Sequence, residues 1–292
     1  MKPAPFEYHR PGTLDEALVL MAARAGEARP LAGGQSLIPA MNFRLARPAA
    51  LVDLNRVAEL AYVRPADGGL RIGAMARQRA VERSPVVQRV TPLLAEAMPF
   101  IAHLQIRNRG TVGGSLAHAD PAAELPAVML ALDARLEARS SSGARTIAAT
   151  AFFTGLFGTA LAPDELLVEI ALPPLPPASG TAFVEVARRH GDYALAGAAV
   201  VVTLDGRGRC RDARMALLSV GAGPVLATEA MKVCVGESPS DEMLRAAGET
   251  AATRDVDPPS DIHASAAYRR RLVAVLTRRA LARAVERATQ VS

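Results

Sequence analysis

Two glycine pairs, each flanked by hydroxyl residues, constrain this chain more than any other feature. Gly113 and Gly114 lie inside Thr111-Val112-Gly113-Gly114-Ser115, within the stretch 106–126, IRNRGTVGGSLAHADPAAELP. Gly33 and Gly34 lie inside Ala32-Gly33-Gly34-Gln35-Ser36, about eighty residues upstream. Glycine reaches backbone conformations closed to residues with a Cβ, so a paired-glycine loop lets consecutive N–H groups converge on an anion. Ser36, Thr111 and Ser115 add hydroxyl donors. Each pair is expected to follow an extended segment and precede a helical one, where an anion would also feel a helix N-terminus. One such pair is most often a tight turn. Two of them, in the same context, read as two walls of one diphosphate site. Neither is followed by the Gly-Lys-Ser/Thr of a Walker A loop, and neither is a G-x-G-x-x-G fingerprint, which disfavours nucleotide hydrolysis and the Rossmann mode.

With 292 residues, 50% hydrophobic and 22% charged, the chain has enough apolar surface for two domains, or three small ones. The net charge is +5, but the basic residues are scattered and all arginine apart from Lys2 and Lys232. No basic run is interleaved with stacking aromatics, so nucleic acid is not an expected partner. Cys210 and Cys234 are the only cysteines, too few for an iron–sulfur cluster, a zinc ribbon or a disulfide framework, and they fit a reducing cytoplasm. The first residues hold no continuous apolar core of a signal peptide. The uncharged run 146–163 is diluted by threonine, alanine and glycine and is expected to be buried or loop structure, so no transmembrane segment is expected.

Along the chain, strands are expected at 6–10, 29–31, 51–54, 70–74 and 165–172. Thr13 and Glu16 should form a capping box ahead of a first helix. A short helix should follow Ser36 despite Pro39, and helical pieces should run through 78–101, cut by Pro85 and Pro92. A further helix is expected over 121–132. PPLPPASG at 173–180 is the clearest boundary. Beyond it the pattern predicts strands at 181–188, 195–204, 213–219 and 229–235, then helices from 240 and over 265–288. The last helix should bury Tyr268, Leu272, Val275 and Leu276 under a solvated arginine face. No Ser-His-Asp, H-E-x-x-H or paired-carboxylate motif stands out among five dispersed histidines. His118 and Asp120 are near the second glycine pair, either as acid/base groups or, more simply, as partners of the loop backbone. No catalytic residue and no metal ligand is assigned, which leaves the chemistry to a cofactor.

AGGQSLIPAMNFRLARP at 32–48, the stretch 106–126, FFTGLFGTALAPDELLVEIALP at 152–173, RRHGDYALAGAAVVV at 188–202 and YRRRLVAVL at 268–276 occur in order over nearly the whole chain. Together they resemble the FAD-binding medium subunit of molybdenum hydroxylases, the group that includes aerobic carbon monoxide dehydrogenase and the xanthine dehydrogenase family. The resemblance implies an α+β fold: a vanillyl-alcohol-oxidase (PCMH)-type FAD-binding domain at 1–176, made of two α/β subdomains (about 1–55 and 56–176), and a smaller C-terminal α+β domain at 177–292 of the CO dehydrogenase flavoprotein C-terminal type.

It further implies non-covalent FAD, its diphosphate held by Ala32, Gly33, Gly34, Gln35, Ser36 and Leu37 and by Thr111, Val112, Gly113, Gly114 and Ser115. Glu124 falls near the ribose and diphosphate, Leu167 where backbone meets the flavin ring, and Ile101 where a side chain lies against it. Tyr193, after Gly191 and Asp192, resembles a mobile aromatic beside the ring. Ser115 stands where many of the family carry asparagine, and Glu185 where lysine is frequent. The implied function is electron transfer from two-iron, two-sulfur (2Fe-2S) clusters on a small subunit, through FAD, to NAD, a quinone or oxygen. A large molybdenum cofactor subunit would oxidise the substrate, in a dimer of heterotrimers. The benzoyl-CoA reductase branch, with an extra cluster in this subunit, is disfavoured by the two isolated cysteines. The alternatives are a self-sufficient flavin oxidoreductase of the same fold and a non-enzymatic arginine-rich binding module.

Overall fold

In a computed structural model, residues 2–290 are described. The chain opens with three short parallel strands, β1 (Glu7–His9), β2 (Ala28–Leu31) and β3 (Ala50–Asp53), in the order β1-β3-β2. Helix α1 (Leu14–Ala23) buries Leu14, Ala17, Leu18 and Met21 in the core cluster that also holds Ala50 and Val52 of β3. Its cap closes one residue early. Thr13 Oγ1 accepts from Glu16 N at 3.2 Å, but the Glu16 carboxylate accepts from Gly12 N at 2.7 Å and not from Thr13. The carboxyl end of β2 delivers the first glycine segment, and α2 (Leu37–Asn42) follows it.

A second sheet is antiparallel, in the order β4-β5-β10-β6-β7, from β4 (Val63–Ala66), β5 (Gly69–Gly73), β6 (Arg135–Ser140), β7 (Gly143–Ala148) and β10 (Leu166–Leu172). Between β5 and β6 run α3 (Gln78–Arg83), α4 (Pro85–Val90), α5 (Pro92–Ala97), α6 (Leu104–Arg109), α7 (Val112–His118) and α8 (Glu124–Ala131). Pro85 and Pro92 each open a helix, because a proline that cannot continue one helix is preorganised for the first turn of the next. Two sequence expectations change here. The element before the second glycine pair is the helix α6, not a strand. Helix α8 begins at Glu124, because Asp120 holds the preceding residues in a turn, its carboxylate accepting from Ala122 N at 2.9 Å and its carbonyl from Ala123 N at 3.0 Å. The run 146–163 ends β7 and forms α9 (Ala149–Phe152) and a hairpin of β8 (Phe153–Gly155) and β9 (Gly158–Thr159), with Phe152 fully buried but Leu156 and Phe157 exposed at the tip.

A third sheet is an antiparallel meander of β11 (Ser179–Ala187), β12 (Ala194–Leu204), β13 (Cys210–Leu218) and β14 (Val225–Leu226). One face packs with α10 (Thr228–Cys234), α11 (Asp241–Thr250) and α12 (Ala266–Gln290); through the other, Phe183, Ala199 and Leu218 join the core of the second sheet. The strand expected at 229–235 is the helix α10. Its first turn has no local side-chain cap, and the Asp255 carboxylate instead accepts from Glu229 N and Ala230 N, each at 2.9 Å. A cap supplied from a distant residue leaves no local signature. In α12 the buried face runs through Arg269, Val273, Leu276, Ala280, Leu281, Ala284 and Ala288; of the expected stripe, Tyr268 and Val275 are exposed.

Small residues let α12 lie directly on β11. A Cβ on Gly180 would stand 1.9 Å from Ala284 O and 2.4 Å from Ala288 N. We therefore expect Gly180→Ala to destabilise the protein by at least about 1–3 kcal/mol, the usual cost of forcing an extra methyl into a packed contact. Thermal unfolding followed by circular dichroism measures it, and an unchanged midpoint would contradict this close seating of the helix.

Candidate functional site

The first glycine segment leaves β2 and turns sharply into α2. Gly34 has φ +74°, a left-handed conformation that favours glycine. Gly33 is glycine for another reason: a Cβ there would lie 2.5 Å from the carbonyl oxygen of Arg109 and 2.8 Å from Gly110 Cα. The backbone N–H groups of Gly33, Gly34, Gln35, Ser36 and Leu37 have no acceptor among the described residues, so five consecutive donors stand open. Gln35 Nε2 donates to Gly33 O at 2.9 Å and braces the loop from within.

The second segment is built differently, and the expectation that its amides converge on an anion is corrected. Val112 N donates to Ala76 O (3.0 Å), Gly113 N to Ala74 O (2.9 Å), Gly114 N to Thr111 Oγ1 (3.0 Å) and Ser115 N to Thr111 O (3.2 Å). All four amides are satisfied within the fold. Gly113 and Gly114 have ordinary helical backbones in the first turn of α7 and are needed for close approach: a Cβ would meet Ala74 O at 2.7 Å from position 113, and Thr111 Oγ1 at 2.7 Å and Ala32 Cβ at 3.2 Å from position 114. What this segment offers a ligand is the half-buried Ser115 hydroxyl. The two segments do meet, since a Cβ on Gly114 would stand 4.0 Å from Gly33 N.

A polar network that sequence reading missed ties them together. Asn55 Nδ2 donates to Ala32 O at 3.0 Å, and Asn55 Oδ1 accepts from Arg77 Nη2 at 2.5 Å. Arg77 Nη1 donates to Arg109 O, the carbonyl on which Gly33 rests. Behind Asn55, the Asp53 carboxylate accepts from Asn55 N at 2.9 Å, from Asn55 Nδ2 and from the Tyr8 hydroxyl. Arg77 and Thr111 also face each other in an isolated antiparallel bridge.

The remaining expected site residues fall into two groups. Leu167 lies in β10 at an irregularity against β6, and the next carbonyl, of Val168, accepts from Ala74 N at 2.9 Å; Leu167 is thus joined to the second segment through Ala74. Ile101 is buried, and its carbonyl accepts from Arg107 Nη1 at 2.8 Å. A Cβ on Gly191 (φ +80°) would stand 2.7 Å from Ala102 O and 2.5 Å from His103 Nδ1, so the loop carrying Tyr193 is seated on the 101–103 turn. Tyr193 itself is 66% exposed. Asp120 bonds the backbone of its own turn, at Ala122 and Ala123, and not that of the glycine segment Thr111–Ser115. The His118 ring lies 5.1 Å from that of Phe157.

Two carboxyls stand out electrostatically. Glu124, 7% exposed at the start of α8, is pushed by burial to about 7, with Asp120 adding to the shift and Arg107 opposing it. Glu185 is pushed by burial to about 8, with Glu124 adding to it, and its Oε2 is buried with no hydrogen-bond partner among the described residues.

The profile of the FAD binding domain in molybdopterin dehydrogenase matches residues 4–175, and that of the CO dehydrogenase flavoprotein C-terminal domain matches residues 181–284. The chain is 45% identical to the 6-hydroxypseudooxynicotine dehydrogenase complex subunit alpha of Paenarthrobacter nicotinovorans, over 99% of this chain and 97% of that one. It is 41% identical to the carbon monoxide dehydrogenase medium chain of Afipia carboxidovorans, over 99% of each. Among solved structures, carbon monoxide dehydrogenase from Hydrogenophaga pseudoflava, in a form lacking the Mo-pyranopterin moiety of the molybdenum cofactor, superposes with a TM-score of 0.95 at 38% identity, covering 98% of this chain and 99% of that one.

The raised carboxyls give a pH dependence whose sign follows from linkage. Both groups rise from an ordinary 4.5, so the folded chain holds more protons than the unfolded one between about pH 5 and 8, and stability falls as pH rises through that window. We expect the thermal midpoint of the FAD-free chain to drop from pH 5 to pH 8, and Glu185→Gln to flatten the profile and raise the midpoint at pH 8. A wild-type midpoint constant across that range would contradict the buried state of the pair.

Proposed function

The chain belongs to the family of FAD-binding subunits of molybdenum hydroxylases, and from that premise we propose that it holds FAD across its two glycine segments and passes electrons between protein partners and an external acceptor. The observation that carries this is the row of five open backbone donors from Gly33 to Leu37, lying against the second segment and its Ser115 hydroxyl. A diphosphate needs several converging N–H and O–H donors, and charge-assisted bonds of this kind are roughly twice as strong as neutral ones. The residues present therefore fit the cofactor.

In this arrangement Ala32–Leu37 provides the donors, and Thr111–Ser115 is a rigid opposite wall from which Ser115 donates. Glu124 lies towards the ribose and diphosphate. Ile101 and the backbone at Leu167 border the flavin ring, and the exposed Tyr193 shields it from solvent. When bound, FAD supplies the redox chemistry. The chain's own residues bind, orient and exclude water. The FAD-binding unit is taken to end near 176, with the C-terminal unit from 177.

Among the described residues no group of three or more His, Cys, Asp or Glu is arranged to hold a metal ion, and no helix is long and apolar enough to cross a membrane. The proposal accordingly assigns the 2Fe-2S clusters to a small partner subunit and the molybdenum cofactor to a large one, in a cytoplasmic dimer of heterotrimers. The holoenzyme's substrate is then a property of the large subunit.

Two measurements test the proposal. The purified chain should bind FAD and release it on denaturation, yet hydroxylate no purine, aldehyde, N-heterocycle or carbon monoxide until both partners are added. Gly33→Ala, which drives a methyl into the Arg109 carbonyl, should lower FAD affinity more than Ser115→Ala does. Loss of one bond to a charged group at Ser115 costs about ten- to a hundredfold. Full flavin occupancy in a folded Gly33→Ala protein, or turnover by the chain alone, would overturn it.

A further inference from the structure

We propose that Arg77, held by Asn55, is the positioning residue of the diphosphate cradle and the source of its countercharge; this rests on the FAD reading above.

The geometric part follows from three hydrogen bonds. Arg77 Nη1 holds Arg109 O, the carbonyl that Gly33 packs against with no room for a methyl. Arg77 Nη2 holds Asn55 Oδ1 at 2.5 Å, while Asn55 Nδ2 holds Ala32 O at 3.0 Å. One planar guanidinium thus grips the seat of the loop directly and the loop's first residue through an amide relay. The separation of the two segments, and with it the direction of the open N–H row, depends on this fork. A lysine carries its donors on a single nitrogen and cannot make both contacts with the same geometry.

The electrostatic part follows from what Arg77 lacks. Among the described residues it makes no ion pair: its hydrogen-bond acceptors are a carbonyl and an amide oxygen. Burial lowers its pKa, and Arg109 lowers it further, with only Asp53 opposing. The Asp53 carboxylate is itself engaged by Tyr8 and Asn55. A partly buried cation beside a second cation, with no carboxylate bonded to it, is unfavourable until an anion arrives. A diphosphate in the adjoining loop supplies that anion, so ligand binding is favoured by an imbalance already present in the FAD-free protein.

The test separates charge from simple bracing. FAD and ADP are titrated into the full FAD-free chain over a range of salt concentrations, ADP carrying the diphosphate without the flavin ring. Arg77→Ala should weaken both ligands by about a hundredfold, the upper range for a bond to a charged group, and should reduce the salt dependence of binding. Asn55→Ala should weaken both about tenfold and leave the salt dependence as in wild type, because it loosens the relay but keeps the charge. Arg77→Lys should likewise keep the salt dependence while losing affinity, and it carries the test if Arg77→Ala fails to fold. Wild-type affinity in Arg77→Ala overturns the proposal, and so does a loss of affinity with unchanged salt dependence, the outcome for a purely structural brace. Loss of the salt dependence in folded Arg77→Lys overturns it as well. Failure of wild type to bind FAD would instead sink the parent reading.

Discussion

The contact of Gly33 with the carbonyl of Arg109 is the constraint on which the rest of the site depends. Gly33 belongs to a loop leaving the parallel sheet, and Arg109 ends α6, which packs on α3. A Cβ at 33 would stand 2.5 Å from that carbonyl, so the two substructures meet at backbone distance. At that distance the two glycine segments divide the work. The second uses its amides to lock α7 onto Ala74 and Ala76 and so becomes a fixed wall. The first leaves five amides without partners. Open donors in a row are unfavourable unless water or a ligand satisfies them, and the row keeps its shape because its surroundings over-determine it.

Much of the fold was legible in the sequence because it is written in local signals. The prolines at 85 and 92 cut the helices where they should, and the proline-rich stretch 173–178 carries no regular structure ahead of β11. Two of the misreadings share a cause, a partner distant in sequence. Helix α10 looked like a strand because Asp255 provides its cap from far down the chain. The i, i+4, i+7, i+8 spacing of Tyr268, Leu272, Val275 and Leu276 points to a buried stripe, but the helix lies close to its sheet on alanines and on Gly180, which leaves Tyr268 and Val275 exposed.

The two glycine pairs show the same limit at finer scale. Both motifs were found and both were correctly expected to approach each other, but a sequence shows a glycine without showing which of its two properties is in use. Gly34 uses conformational freedom; Gly113 and Gly114 use only the missing side chain. Arg77 and Asn55 were invisible for a related reason. Each grips a backbone carbonyl, which every residue carries, and the side-chain bond between them joins residues too far apart in sequence to read as a pair.

The opposite end of the proposed site is made where the third sheet meets the rest of the chain. Glu96 of α5 accepts from Phe183 N at 3.2 Å and from Arg287 of α12 at 2.6 Å, and Ser219 N at the end of β13 donates to Pro121 O at 2.8 Å just before α8. Buried Arg269 of α12 then donates to Leu195 O at 2.6 Å, Ser219 O at 3.2 Å and Asp261 at 2.6 Å, fixing the base of the strand that begins after Tyr193. These contacts bring Glu185 of β11 within electrostatic range of Glu124 of α8. Burial is the first cause of both shifts, so the seam holds its carboxyls protonated to a higher pH than solvent would. On the proposed FAD reading, the open N–H row at the glycine segments suits the anion, and the buried carboxyls of the seam fall beyond it, Glu124 towards the ribose. On that reading the third sheet, which supplies Glu185 and the loop of Tyr193, is as much part of the proposed site as the glycine segments.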